Sequence, residues 1–344
     1  MRISSLPTPA LVVDLALLEA NLAVLQSAAS AAGKALRPHA KAHKRVAIAK
    51  RQMAAGAAGV CCATLGEAAS MLDAGISVLL TTPTASAVKA GRLAALAAMG
   101  DLTVVIDHPF QLALLESAGA RCQALVDLDI GDHRTGVPCD ERAVALAEAI
   151  DRSPLLTFGG LQAYSVSGSH TQGHAERRAH STAALGQAIE VQSELLRRGL
   201  NATRLTGGST GTWDIDLAIP ELTELQAGSY PLMDVAYSRI GGVPFALAMT
   251  VVATVISASH SDRVTVDAGF KAFATDRPFG PEAIGVPGAR WAWAGDEHGF
   301  LFADSLPAIG EQVAFAVPHC DPTVNLHEKM YACRGDEVEE VWTR

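Results

Sequence analysis

A chain of 344 residues, 49% hydrophobic and 18% charged, is longer than one ordinary domain and can bury a substantial core. Its net charge of -9 argues against a nucleic-acid partner, because the densest positive patch, Lys41-Ala-His-Lys-Arg45, is too short to neutralise a run of phosphates. No stretch approaches the ~20 apolar residues that cross a bilayer, residues 1–7 lack a signal-peptide layout, and six cysteines without CxxC pairing read as reduced thiols, so a cytoplasmic protein without membrane contacts is expected.

In chain order, β-rich runs at residues 10–14, 36–41, 59–64, 78–82, 102–107, 124–130, 158–164, 203–207 and 224–228 read as strands. Between them, segments such as 17–32, 45–55, 66–74 and 175–198 carry apolar residues at helical spacing. Strand–helix alternation repeated about eight times predicts an α/β fold that opens with an N-terminal (β/α)8 barrel. A doubly wound sheet is the alternative, but no GxGxxG opens the first helix. Beyond residue 230 the rhythm changes to strand-like runs at 248–259, 263–267, 291–294, 300–302, 311–317 and 337–342, which predicts a C-terminal β-rich domain without long helices. The expected division is a barrel over 10–232 and the β-rich domain over 233–344, with residues 1–9 free to pack with the latter.

Chemistry-bearing residues cluster at the ends of these strands. In Arg37-Pro-His-Ala-Lys41-Ala-His-Lys44 a lysine falls at the C-terminal end of an early strand, where barrels keep reactive groups. A desolvated lysine there can form a Schiff base with a carbonyl; a solvated basic loop is the plainer alternative. Gly207, Gly208, Ser209, Thr210, Gly211 and Thr212 follow another strand and combine convergent N–H groups with hydroxyls, as a phosphate cradle or as a simple tight turn. Gly228, Ser229 and Tyr230 end the next strand and could add phosphate contacts. Arg134, in the charged run from Asp127, offers a fork for a phenolic oxygen or a carboxylate, or else belongs to a surface ion-pair cluster. Tyr164 ends a strand and could flank a ring, and His170 could carry a proton. In Val317-Pro-His-Cys-Asp-Pro-Thr-Val-Asn325 an extended segment would turn His319 and Asp321 to one side, half of a divalent-metal site or a buried hydrogen-bonded pair.

Together these segments resemble the metal-activated, pyridoxal-phosphate-dependent D-threonine aldolases and D-serine dehydratases, whose fold is similar to that of bacterial alanine racemase. The resemblance runs from Thr8-Pro-Ala-Leu-Val-Val-Asp14 to the final strand. It implies that Lys41, rather than Lys44, carries the cofactor, that Arg134, Tyr164 and His170 surround it, and that residues 207–212 hold its phosphate. The dehydratases resemble His-x-Cys where this chain has His319-x-Asp321, which favours an aldolase that cleaves a β-hydroxy-D-amino acid to glycine and an aldehyde. The implied cation is manganese or magnesium, with zinc as the alternative, and the implied assembly is a homodimer. Dehydration of D-serine or 3-hydroxy-D-aspartate is the rival reading; a racemase and a non-catalytic pyridoxal-phosphate protein follow behind it. Ala42, Ser165 and Ser209 depart from the family pattern, where threonine, histidine and glycine are common.

Overall fold

The computed structural model describes all 344 residues. It divides into two compact units, one of Leu25–Lys41 and Val46–Gly228, the other of Met1–Val24, Ala42–Arg45 and Ser229–Arg344.

The strands in chain order begin with β1 (Ala10–Asp14), β2 (Ala35–Leu36), β3 (Val60–Cys62), β4 (Val78–Leu80), β5 (Leu102–Ile106) and β6 (Gln123–Asp129). They continue with β7 (Val137–Pro138), β8 (Thr157–Ala163), β9 (Leu205–Gly207) and β10 (Glu224–Leu225). In the first unit β2, β10, β9, β8, β6, β5, β4 and β3 are hydrogen-bonded in that order, all parallel, with the short β7 beside β6. The ring closes between its ends through a parallel bridge from His39 to Cys61 and the Cys61 N–H to Pro38 carbonyl bond of 2.8 Å. The expected eight-stranded barrel is therefore present. Cys61, Leu79, Val105 and Leu125, one from each of four neighbouring strands, pack as a buried cluster, so the adjacent cysteines serve as small core hydrophobes.

The intervening helices are α1 (Leu15–Ala31), α2 (Val46–Ala55), α3 (Leu65–Asp73), α4 (Ala87–Ala97), α5 (Pro109–Ser117), α6 (Glu141–Asp151), α7 (His174–Arg197) and α8 (Trp213–Leu217). Their starts are written locally. Thr64 caps α3 by accepting the Glu67 N–H while the Glu67 carboxylate turns back to the Ala63 N–H; Asp140 caps α6. Strand β8 carries one extra residue opposite β6, and Gly159 and Gly160 supply that bulge: a Cβ on Gly160 would lie 2.2 Å from the Arg204 carbonyl oxygen.

The run at residues 10–14 is a strand but not a barrel strand. β1 pairs antiparallel with β11 (Met249–Ser257) and parallel with β17 (Lys329–Arg334), in the sheet of the other unit. Its first four residues are buried, as a central strand covered on both faces requires, and an apolar run of that kind fits either sheet equally well. The sheet also contains β12 (Val264–Val266), β13 (Glu282–Ala283), β14 (Arg290–Trp293), β15 (Gly299–Phe302), β16 (Gln312–Ala316) and β18 (Glu337–Thr343). Two short helices, α9 (Val235–Ile240) and α10 (Cys320–Leu326), complete this β-rich unit. No helix is long and apolar enough to cross a membrane.

Candidate functional site

The C-terminal ends of the barrel strands surround a cavity of about 380 Å³, within the range of small-molecule and cofactor sites. Lys41 reaches it from a single 3-10 turn, Ala40–Ala42, just past the strand-closing bridge at His39. His39 anchors that turn. Its Nδ1 accepts the Lys41 backbone N–H at 3.4 Å, so its Nε2 is the protonated nitrogen and donates to Thr81 Oγ1 at 3.0 Å. Arg134 and Tyr164 line the same cavity, with the guanidinium 5.7 Å from the ring centroid. Three of the expected cofactor residues, Lys41, Arg134 and Tyr164, thus converge.

The cavity wall also holds a polar chain. Gln226 donates to Gln162 Oε1 at 3.1 Å, and Gln162 donates to Asp127 Oδ1 at 2.8 Å. Thr135 donates to the other Asp127 oxygen at 3.1 Å. Burial pushes the Asp127 carboxyl up to about 7, against the opposing pull of those two hydrogen bonds. On the cavity wall, Asp132 accepts the Val166 and Ser167 N–H groups and the Ser165 and Ser167 hydroxyls, which ties the loop after β6 to the loop after β8. Ser165 is committed to that loop tie.

The glycine-rich segment lies outside the cavity wall and has internal partners. A Cβ on Gly207 would lie 1.9 Å from the Ala163 carbonyl oxygen, and Gly208, at φ +76°, packs against Asp216. Asp216 accepts the Ser209 N–H at 3.1 Å and the Thr212 hydroxyl at 2.5 Å, while Ser209 Oγ and Thr212 Oγ1 lie 2.8 Å apart. The Ser209 N–H and the Thr212 hydroxyl therefore turn toward a buried carboxyl, which burial raises to about 6; Thr210 and Gly211 complete the loop. His170, at the end of the 3-10 turn Gly168–His170, is likewise not part of the cavity wall. Gly228 ends the barrel unit. In the β-rich unit Tyr230 is buried with its ring 5.6 Å from that of Phe245, and Ser229 Oγ donates to Asp321 at 3.2 Å.

Within the β-rich unit His319 and Asp321 do face each other, but not as alternate residues of an extended segment. His319 is the extended residue that precedes α10, and Asp321 lies in the first helical turn. An acidic residue is favoured there by the helix dipole. Their nearest atoms, Nε2 and Oδ2, are 4.0 Å apart. That is too long for a hydrogen bond and within the ~4.2 Å that two bonds of about 2.1 Å to one ion can span. The donor types, an imidazole nitrogen and a carboxylate oxygen, suit a divalent cation, but the pair would have to close toward ~3.0–3.4 Å to act as adjacent ligands, and no group of three or more His, Cys, Asp or Glu side chains assembles as a complete protein-only site. Asp234 fixes the turn: one oxygen caps α9 at the Tyr237 N–H, the other accepts the Cys320 N–H at 2.8 Å. Asp276, a residue the sequence pattern did not single out, accepts a 2.7 Å hydrogen bond from His319 Nδ1.

The alanine racemase N-terminal domain family matches residues 13–230, and the serine dehydratase domain family matches residues 248–333. A D-threonine aldolase from Arthrobacter sp. is 38% identical over 97% of this chain and 91% of its own length. A 3-hydroxy-D-aspartate aldolase from Paracoccus denitrificans is 33% identical over 98% of this chain and 92% of its own length. The solved D-threonine aldolase from Filomicrobium marinum superposes with a TM-score of 0.95 at 36% identity, over 100% of this chain and 96% of that one. A D-threo-3-hydroxyaspartate dehydratase, solved as a cysteine-to-alanine mutant in the metal-free form, superposes with a TM-score of 0.89 at 26% identity, over 100% of this chain and 99% of that one. The chain belongs to the pyridoxal-phosphate-dependent family of D-threonine aldolases and D-serine dehydratases built on the alanine racemase fold.

Proposed function

We propose that this protein is a carbon–carbon lyase that cleaves β-hydroxy-D-amino acids to glycine and an aldehyde. The observation that carries the reading is the convergence of Lys41, Arg134 and Tyr164 on one cavity at the strand ends, in a chain with full-length similarity to two aldolases. Lys41 would hold pyridoxal phosphate covalently; when bound, that cofactor takes up the electron pair released as the Cα–Cβ bond breaks. His319 and Asp321 would hold a divalent cation that polarises the β-hydroxyl.

The remaining work falls to side chains of the chain. Arg134 presents its donors to the cofactor's phenolic oxygen or the substrate carboxylate, and the Tyr164 ring keeps the guanidinium in place. His170, on the 3-10 turn outside the cavity wall, would have to reach the β-hydroxyl to accept its proton as the bond to Cα opens, so that the departing carbon becomes an aldehyde. Residues 207–212 and 228–230 would supply phosphate contacts. An imidazole-plus-carboxylate pair suits manganese or magnesium better than a thiolate-containing pair would, with zinc as the alternative. Six free cysteines accord with a cytoplasmic protein, and a homodimer is the assembly proposed.

The test is a product assay on D-threonine, D-phenylserine and 3-hydroxy-D-aspartate, with and without added manganese. Glycine and aldehyde in equal amounts, lost on chelation, are expected. Ammonia and a keto acid would transfer the site to dehydration, the activity named for the 26%-identical structural relative.

A further inference from the structure

We infer that Asp276 is a positioning residue for the cation: it fixes His319 in the tautomer whose Nε2 lone pair faces Asp321. The inference rests on the proposed role of His319 and Asp321 as ligands. A carboxylate can only accept, so the 2.7 Å contact between Asp276 Oδ2 and His319 Nδ1 puts the imidazole proton on Nδ1. The nitrogen left with a lone pair is Nε2, and it is the one that lies 4.0 Å from Asp321 Oδ2. Without Asp276 the ring could carry its proton on either nitrogen and rotate about its bond to Cβ; with it, one orientation and one tautomer are selected before any ion arrives.

The surrounding structure holds Asp276 to this task. Thr323 Oγ1 donates to the His319 carbonyl at 2.7 Å and accepts the Ala274 N–H at 3.1 Å. One side chain of α10 thereby pins the segment that bears Asp276 to the residue that bears the imidazole. Arg277 pairs with Asp276 Oδ2 at 3.8 Å. On the far side Asp321 takes hydrogen bonds from Ser229 Oγ at 3.2 Å and Cys320 Sγ at 3.0 Å, so both expected ligands are oriented by neighbours. Asp276 is the more exposed partner, its side chain 45% accessible against 19% for His319, as expected of a group that supports the site from its rim.

The test is a manganese titration of the chelator-stripped protein with pyridoxal phosphate retained, with free ion followed by electron paramagnetic resonance. Removal of a ligand-orienting partner costs about 10- to 100-fold in metal affinity, and Asp276→Ala is expected to fall in that range. Asp276→Asn keeps an acceptor for Nδ1–H and should stay within a few-fold of the parent. Neither variant should shift the melting temperature of the metal-free protein or its imine absorbance; a fall in metal-free stability that matches the affinity loss would make the role merely structural and overturn the proposal. Wild-type manganese affinity in Asp276→Ala, alongside loss in His319→Ala, overturns the positioning role alone. Equal losses in Asp276→Asn and Asp276→Ala would make Asp276 a ligand instead. Undiminished affinity in His319→Ala would bring down the ligand reading and this inference with it.

Discussion

The Arg134 guanidinium stands 5.7 Å from the centroid of the Tyr164 ring, and the two residues come from loops that follow neighbouring strands, β6 and β8. The pairing sets a guanidinium fork against a flat aromatic wall. Arg134→Lys keeps the charge but loses the planar fork and its stacking, so kcat/KM for D-threonine should drop about 10- to 100-fold, as for a lost charged hydrogen bond of ~1.5–3 kcal/mol. Tyr164→Phe retains the ring and should leave that value nearly unchanged, whereas Tyr164→Ala should approach the loss in Arg134→Lys. Steady-state kinetics on the three variants decide it; equal losses in Tyr164→Phe and Tyr164→Ala would assign the effect to the hydroxyl.

Asp127 makes stability depend on pH in an unusual direction. Its folded pKa, about 7, lies above the ordinary value of 3.8 because burial disfavours the charge. Between those two values the folded state binds more proton than the unfolded chain, so this residue's contribution declines as pH rises from about 4 to about 7 and is constant above. Asp127→Asn can keep both hydrogen bonds, accepting from Gln162 and donating to Thr135, without a buried charge. Urea titrations should show the variant gaining on the parent between pH 5 and pH 8, by on the order of 2 kcal/mol. A difference that does not change with pH would contradict it.

Glu224 behaves oppositely. Burial alone would raise its pKa, but Arg37 and Arg204 more than offset this and hold it below the usual range. The contacts are 3.0 Å to Arg37 and 2.7 Å to Arg204. Glu224→Gln leaves two largely buried guanidinium groups without a counter-charge and should cost about 3–5 kcal/mol by denaturant unfolding. The stabilisation from this group is present above the unfolded glutamate pKa and is lost as pH falls through the depressed folded value, so parent and variant should converge in acid.

Strand positions were legible because apolar runs punctuated by Gly and polar turns can hardly be anything else, and the eight barrel strands lie within or close to the expected spans. Which sheet a run joins was not legible. Residues 10–14 owe their place to partners at 249–252, more than two hundred positions away. Lys329–Arg334 escaped notice because its charged ends mask the alternation, yet it pairs along one side of β1. Lys41, Arg134 and Tyr164 stood at strand ends in the sequence and stand around one cavity in space. Gln162, Gln226 and Asp127 lay in the same strand-end runs but carried no role of their own there, since a polar residue in a strand shows its meaning only when the barrel interior is known. Asp276 sits 43 residues from His319 in a loop with no period to betray it. His319 and Asp321 were paired through an extended-chain argument, whereas a helix start produces the pairing.

The two lysines of Lys41-Ala-His-Lys44 lie three residues apart, so spacing alone cannot say which amine carries an aldehyde. Their surroundings differ. Lys41 lines the barrel cavity with Arg134 and Tyr164, whereas Lys44 directs its ammonium to Asn325 Oδ1 at 3.1 Å and adopts a left-handed backbone at φ +52°. An amine held by a side-chain carbonyl in the β-rich unit has another task. Lys41→Ala should abolish the imine absorbance and the turnover of D-threonine, and a small exogenous amine should restore part of the turnover, because the pocket stays intact when only the tether is removed. Lys44→Ala should retain the absorbance. Borohydride reduction followed by peptide mapping locates the adduct independently of activity; label on Lys44, or an imine band that survives in Lys41→Ala, would refute the assignment.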